Sequence, residues 1–444
     1  MDLKYTRSDF PDGFQFGTST SSYQIEGSSF GGCGPSHWDT FAETPSNVAG
    51  GETGARACEH YLRWEEDFDL LKSAGFDTYR FSTSWSRIIP EGTGSVNQQA
   101  LDYYERLVDG LLERDINPVV MLYHWDLPAA LSDRGGWSNP DIANWFADYT
   151  EVVMKRIGDR LHAAATINEP WCIAWLCHYL GIHAPGIKNI RTAVRAMHFV
   201  LLAHSKSLSA MRSLGLDNIG LALNFEYPQP ADDSENAHQA ARLYDGIYNR
   251  WFIEALSKGR YPEDVLSVFE PFMPKGYEDD LQAISAPIDW LGINYYTRKL
   301  ISPGPTGEPT DFIESTGDLE QTTMGWEVYP EGLNYFLSRL HQNYTGDLPL
   351  IVTENGMSSN DVVVDGQVED PQRIEFINRH LTEIKNVISN GVPVRGYLIW
   401  SLLDNFEWAL GYEKRFGLVH VDFDTQNRTP KDSFKALASA LSDP

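Results

Sequence analysis

Two glutamates in this 444-residue chain sit in similar surroundings, far apart: Glu169 in "TINEP" (166–170) and Glu354 in "TENG" (353–356). Asn168 precedes the first, Asn355 follows the second, and each glutamate closes an apolar run. A single glutamate at such a place is an ordinary solvated loop residue. Two carboxyls brought to one place can divide acid and base work between them. In glycoside hydrolysis one protonates the leaving oxygen, while the other attacks the anomeric carbon or activates water. The chain also holds 13 Trp and 21 Tyr. Their ring faces suit the apolar faces of sugars, although aromatic residues fill cores as well.

Something must carry both glutamates to one place. Short runs rich in Val, Ile, Phe and Tyr recur at 14–20, 76–82, 117–125, 163–168, 218–224, 289–296, 348–356 and 394–401. Most lack polar alternation, as parallel strands buried on both faces do. Amphipathic patterns lie between them. Residues 98–113 place Leu101, Tyr104, Leu107, Val108, Leu111 and Leu112 at helical spacing. A helix over 59–74 ends before Gly75, and another is expected to open with Asn139 as N-cap and Pro140 at its first position. Eight strands alternating with helices predict an α/β fold, a (β/α)8 TIM barrel. No linker divides residues 1–444, so one catalytic domain is expected. The turn-rich stretch 303–325 reads either as a disordered insert or as a loop walling a site.

In such barrels chemistry sits at the C-terminal strand ends. The second run here carries Arg80, the third ends in His124 and Trp125, and the fourth in Asn168 and Glu169. The sixth gives Asn294 and Tyr296, the seventh Glu354 and the eighth Trp400. Two glutamates in that company are harder to dismiss than either alone.

Composition narrows the alternatives. With 35 basic and 62 acidic residues the formal charge is −27, which argues against nucleic acid or an anionic membrane as partner. No run reaches the roughly 18 apolar residues of a membrane span. Cys33, Cys58, Cys172 and Cys177 form no CxxC pair and read as reduced thiols. The first thirty residues lack a secretory pattern, so a cytoplasmic location is expected. There is no HExxH, P-loop or GxSxG, and "GGCGP" (31–35) lacks the context of a dinucleotide fingerprint. His60 beside Glu59 and His178 near Cys177 have no metal-ligand spacing. Neither a cofactor nor a metal is expected.

From about residue 10 to about residue 440 the chain resembles the family 1 glycoside hydrolases, the β-glucosidase family. "FQFGTSTSSYQIEG", "YRFSTSWSRIIP", "LYHWDLP", "TINEP", "GINYYT", "MGWEVYP", "TENG" and "SLLDNFEWALGYEKRFGLVHVDF" match in order. The resemblance implies a (β/α)8 barrel with Glu169 as general acid/base and Glu354 as nucleophile. It places Gln24, His124, Trp125, Asn168, Asn294, Glu407 and Trp408 around the sugar, with Trp400 as floor. Arg80 and Tyr296 would hold the nucleophile, Trp326 would meet the aglycone, and Trp171 and Leu176 would narrow the entrance.

Such a site needs Glu354 ionised and Glu169 protonated. Arg80 and Tyr296 are expected to lower the Glu354 pKa, while burial and the Glu354 charge raise that of Glu169 to about 6. A retaining reaction would set the carboxyls about 5–5.5 Å apart. Glu407 would accept from sugar hydroxyls and repel a 6-phosphate; the 6-phospho-β-glycosidase branch lacks it. Glu169 excludes the thioglucosidase variant, where Gln stands instead. The expected substrates are unphosphorylated β-D-glucosides and short oligosaccharides such as cellobiose. β-Galactosides or β-fucosides, transglycosylation by the same residues, and a non-catalytic sugar-binding barrel are the alternatives. Oligomeric state is left open.

Overall fold

The structure, a computed structural model, describes residues 2–308 and 310–442. Eight parallel strands close into a barrel: β1 (Gln15–Ser19), β2 (Thr78–Ser82), β3 (Asn117–Tyr123), β4 (Ala163–Asn168), β5 (Ile219–Pro230), β6 (Trp290–Pro303), β8 (Leu350–Asn355) and β9 (Val394–Trp400). Neighbours follow chain order, and the circle closes where β9 pairs with β1. The remaining strand, β7 (Phe312–Ser315), lies outside the circle and pairs antiparallel with the end of β6.

The strands are apolar because both faces are covered. Val119, Met121, Ala163, Ala165, Ala222, Trp290, Ile351 and Leu398 form one buried cluster drawn from β3, β4, β5, β6, β8 and β9. Several are alanines, which leave room for the Trp290 ring in a narrow interior. A larger cluster fills the layer between strands and helices. The helix Gln98–Leu112 buries Leu101, Tyr104, Leu107, Val108 and Leu111 into that layer. Asn97 caps it, its side chain accepting from the Gln99 and Ala100 amides.

Three expectations need correction. The helix expected to open at Asn139–Pro140 spans Ile142–Ile157. Asn139 Oδ1 instead accepts from the Asp141 amide at 2.9 Å, a local turn that competes with capping. Strands β5 and β6 run past the expected ends at 224 and 296. Beyond Ala222, β5 pairs only with β6, so its outer edge tolerates Pro228 and Pro230, which donate no hydrogen bond. The described residues of 303–325 are not a disordered insert: β7 completes a hairpin with β6, and Met324 reaches the wall of the main cavity.

Candidate active site

A cavity of about 470 Å³ opens above the C-terminal ends of the barrel strands. His124, Trp125, Glu169, Trp171, Leu176, Tyr296, Trp326, Glu354, Trp400, Glu407 and Trp408 all line it. Gln24, Arg80, Asn168 and Asn294 are fully buried and support that wall from behind.

Glu354 lies near the end of β8 and is 3% exposed. Its Oε1 accepts from Arg80 Nη1 at 2.7 Å, and its Oε2 accepts from Tyr296 Oη at 2.8 Å. The turn after it is tight. A Cβ on Gly356 would stand 1.8 Å from the Trp400 carbonyl oxygen, so "TENG" must end in glycine.

Glu169 follows the last residue of β4 with a left-handed backbone, φ +51°. Trp125 (φ +77°) and Trp408 (φ +51°) share that unfavourable region, so three cavity residues hold strained backbone that the surrounding packing must fix. Glu169 Oε1 accepts from Asn294 Nδ2 at 2.7 Å, and Oε2 from Cys172 Sγ at 3.2 Å.

The two carboxyls are joined by a chain of amides. Arg80 Nη2 donates to Asn168 Oδ1 at 2.6 Å, and Asn294 Nδ2 donates to the same oxygen at 3.0 Å. Thr353 Oγ1 donates to Asn294 Oδ1 at 2.7 Å, which fixes that amide's orientation too. With Asn168 Oδ1 occupied by two donors, its Nδ2 faces His124 Nε2 at 3.1 Å as donor. His124 therefore carries its proton on Nδ1, an atom with no protein partner among the described residues. Burial and the nearby Arg80 charge hold its pKa well below the usual value, so the ring stays neutral and offers one N–H to a ligand.

Burial pushes the Glu169 pKa up to about 8, and the charge of Glu354 adds to the push. This exceeds the value expected from sequence because enclosure is the larger cause. The expected lowering at Glu354 also needs correction: burial raises its pKa, and Arg80 and Tyr296 oppose that rise without reversing it. Arg80 and Tyr296 favour the charged form of Glu354, and neither makes a hydrogen bond to Glu169. Burial, with Glu354 and Glu169 behind it, pushes Glu407 to about 8.

Aromatic rings shape the rest. Trp408 lies 4.9 Å from Trp125 and stacks on Tyr23 at 6.0 Å, while His124 stacks on Trp400 at 5.6 Å. Trp326 sits 5.3 Å from Tyr296, and Trp171 stacks on Tyr248 at 4.0 Å. Gln24 Nε2 donates to Asn405 Oδ1 (2.9 Å) and the Phe406 carbonyl (2.8 Å), tying it to the loop that carries Glu407. That loop is anchored by Asp404, which accepts from Lys431 Nζ and Arg415 Nη1, each at 2.7 Å.

Sequence reasoning missed Cys172, Asn224, Glu226, Tyr244, Tyr248, Lys299 and Glu314, all of which line the cavity. Cys172 follows "TINEP" by two residues in a π-helical turn, Cys172–Leu176, an irregularity often found at functional sites. Glu226 stands two residues past Asn224 on one strand, a period-two signal that could have been read had β5 been extended. Among the described residues no group of three or more His, Cys, Asp or Glu side chains could hold a metal, and no helix is long and apolar enough to cross a membrane.

A (β/α)8 barrel whose strand ends bring together an arginine-bound carboxylate, an elevated carboxyl and a ring of tryptophans belongs to the glycoside hydrolase class. The model of Glycosyl hydrolase family 1 matches residues 6–443. Beta-glucosidase A of Thermotoga maritima is 46% identical over 429 residues, covering 96% of each chain. A 1,4-beta-D-glucan glucohydrolase of Thermotoga neapolitana is 45% identical over 429 residues, with the same coverage of both chains. A solved T. maritima beta-glucosidase in complex with glucoimidazole superposes with TM-score 0.93 at 44% identity, covering 97% of this chain and 98% of that one. The chain belongs to glycosyl hydrolase family 1.

Proposed function

We propose that the protein is a retaining β-glucosidase that removes terminal non-reducing β-D-glucosyl units from β-glucosides and short oligosaccharides such as cellobiose. The observation that carries this reading is the unequal treatment of two buried carboxyls in one cavity: Glu354 is paired with Arg80, Glu169 is not. Glu354 attacks the anomeric carbon while Glu169 gives its proton to the departing oxygen. An ester on Glu354 replaces the carboxylate, so the part of the Glu169 pKa rise due to that charge disappears. Glu169 then takes a proton from the water that breaks the ester. Burial, the larger cause of the rise, remains, so the fall is partial.

His124 Nδ1–H, Glu407 and the tryptophans around them hold the glucosyl ring. The relatives' printed names, a beta-glucosidase and a glucan glucohydrolase, support glucose as the preferred unit. The test is kcat/KM on cellobiose, lactose, an aryl β-glucoside and an aryl β-galactoside. Both glucosides should lead their galactosyl counterparts. A higher value for the galactosides would replace the glucoside assignment, and no turnover of any of the four would remove the glycosidase.

A further inference from the structure

Behind the wall that carries Glu407 lies a buried ion network. At its centre is Lys431, which directly follows β11 (Arg428–Pro430), the partner of β10 (Val419–Val421), and is 0% exposed. Its Nζ donates to Asp361 Oδ2 at 2.5 Å and to Asp404 Oδ1 at 2.7 Å. Arg373, on the helix Pro371–Ser389, donates through Nη2 to the same Asp361 oxygen at 2.7 Å and through Nη1 to Asp370. Arg415 Nη1 donates to Asp404 Oδ2 at 2.7 Å. Three cations thus face three carboxylates. Burial raises the Asp361 pKa, yet Arg373 and Lys431 outweigh it and hold that carboxyl well below the usual carboxylate range.

The two carboxylates that Lys431 joins stand on different loops of the site. Asp361 lies on the loop that follows β8 and Glu354, while Asp404 lies on the loop that leaves β9 after Trp400 and carries Glu407 and Trp408. Asp404 forms the foot of that second loop. Its amide donates to the Val419 carbonyl at 3.0 Å, and its Oδ1 also accepts from the Gly417 amide at 2.9 Å. A Cβ on Gly417 would stand 2.0 Å from the Asp404 nitrogen, so the two ends of the loop are in contact. Residues 405–416 project from this foot, and Glu407, Trp408 and Phe416 among them reach the cavity wall. The Ser359 amide donates to the Arg415 carbonyl at 3.1 Å, a direct seam between the two loops beside the ion network.

Such a network is weak evidence for stability, since apolar side chains of similar volume often hold a fold as well or better. What a lysine supplies here is direction: its ammonium donors meet carboxylates from two separate loops. We infer that Lys431 is a positioning residue for sugar recognition: by holding Asp404 against Asp361 it fixes where Glu407 stands relative to Glu354. This rests on the β-glucosidase reading above and goes beyond it, because Lys431 has no exposed surface with which to touch a sugar and acts through another residue.

The experiment is a double-mutant cycle on kcat/KM for 4-nitrophenyl β-glucoside, with Lys431→Met and Glu407→Gln made singly and together and each variant checked for folding by near-UV circular dichroism. Lys431→Met should lower kcat/KM about tenfold when Glu407 is present, a size within the range of coupled residues. Once Glu407 is replaced, the same substitution should change it by less than about twofold, as for a partner already removed. A side chain that only stabilises the fold would give one factor in both backgrounds. Arg415→Met supplies a second cycle that stands if Lys431→Met fails to fold, because Arg415 is partly exposed at the edge of the network. It should cost severalfold with Glu407 present and nothing measurable without it, and Arg415→Lys, which keeps the charge, should restore part of the loss. Equal factors in both backgrounds, or no loss when Glu407 is present, overturn the positioning role. Failure of the parent reading looks different: the wild type itself would not turn over the glucoside.

Discussion

Arg80 Nη1 lies 2.7 Å from Glu354 Oε1, and the guanidinium that makes this contact is 0% exposed. Arg80 reaches from β2 to β8 and, through Nη2, also holds Asn168 on β4. One side chain therefore favours the charged form of one carboxyl and fixes the orientation of the Asn168 amide and, through it, the tautomer of His124.

Replacing this cation is expected to act through Glu354. In Arg80→Met the lowering influence on that carboxyl is gone, so its pKa rises further. Activity requires the ionised form, so the acidic limb of kcat/KM should move to higher pH. The rate at neutral pH should fall about 10²–10³-fold, the scale seen when one preorganised electrostatic contact is removed. Leaving Glu354 buried without its partner should also cost about 3–5 kcal/mol of stability. A pH profile and a urea melt read both effects. An unmoved acidic limb would detach Arg80 from the titration.

The link between Glu354 and Glu169 can be titrated directly. Glu354→Gln removes the charge that helps hold Glu169 at about 8 but leaves its burial. Following Glu169 by carboxyl-labelled NMR should give a pKa below the wild-type value yet above an ordinary glutamate. In the wild type, loss of the Glu169 proton above about pH 8 should form the alkaline limb of kcat/KM. A Glu169 pKa that is unchanged in Glu354→Gln would mean that the two carboxyls do not sense each other.

Glu169→Ala should separate substrates by leaving group. Glucose leaving from cellobiose needs the proton, so kcat/KM should collapse by about 10²–10⁴-fold. A dinitrophenyl glucoside needs little help, so its first step should survive and the glycosyl-enzyme should accumulate as a burst. The alkaline limb should flatten. Equal proportional losses on both substrates would take the acid role from Glu169.

Much of this was legible in the sequence because buried parallel strands write themselves as unbroken apolar runs. Both catalytic candidates closed such runs, and so did His124, Trp400 and Asn168. The β5 extension carries Pro228 and Pro230, which disfavour a paired strand, and only the one-sided pairing makes them acceptable. Glu226 went unseen with the β5 extension, and Glu314 with β7, which pairs only with the end of β6. The depth of enclosure was hidden as well. Spacing can bring Arg80 toward Glu354, but only packing decides that burial outweighs Arg80 in setting its pKa.

Glu407 lines the cavity with Trp400 and Trp408, and the one lysine of that lining, Lys299, stands on the β6 extension with Glu226 and Glu314. A 6-phosphate held at Glu407 would meet a carboxyl and no lining cation. An aryl β-glucoside 6-phosphate should therefore show kcat/KM at least about 10²-fold below that of the unphosphorylated glucoside, on the scale of a buried charge left unpaired. Equal values would contradict this role for Glu407.

In a retaining reaction Glu354 becomes covalently attached to the sugar. An activated 2-deoxy-2-fluoro β-glucoside slows both steps but lets the first run ahead, so the intermediate can be trapped and the enzyme digested for mass spectrometry. The mass increase of one fluoroglucosyl unit should fall on the peptide containing "TENG", with fragmentation placing it on Glu354. Attachment to Glu169 or to any other residue would contradict the account.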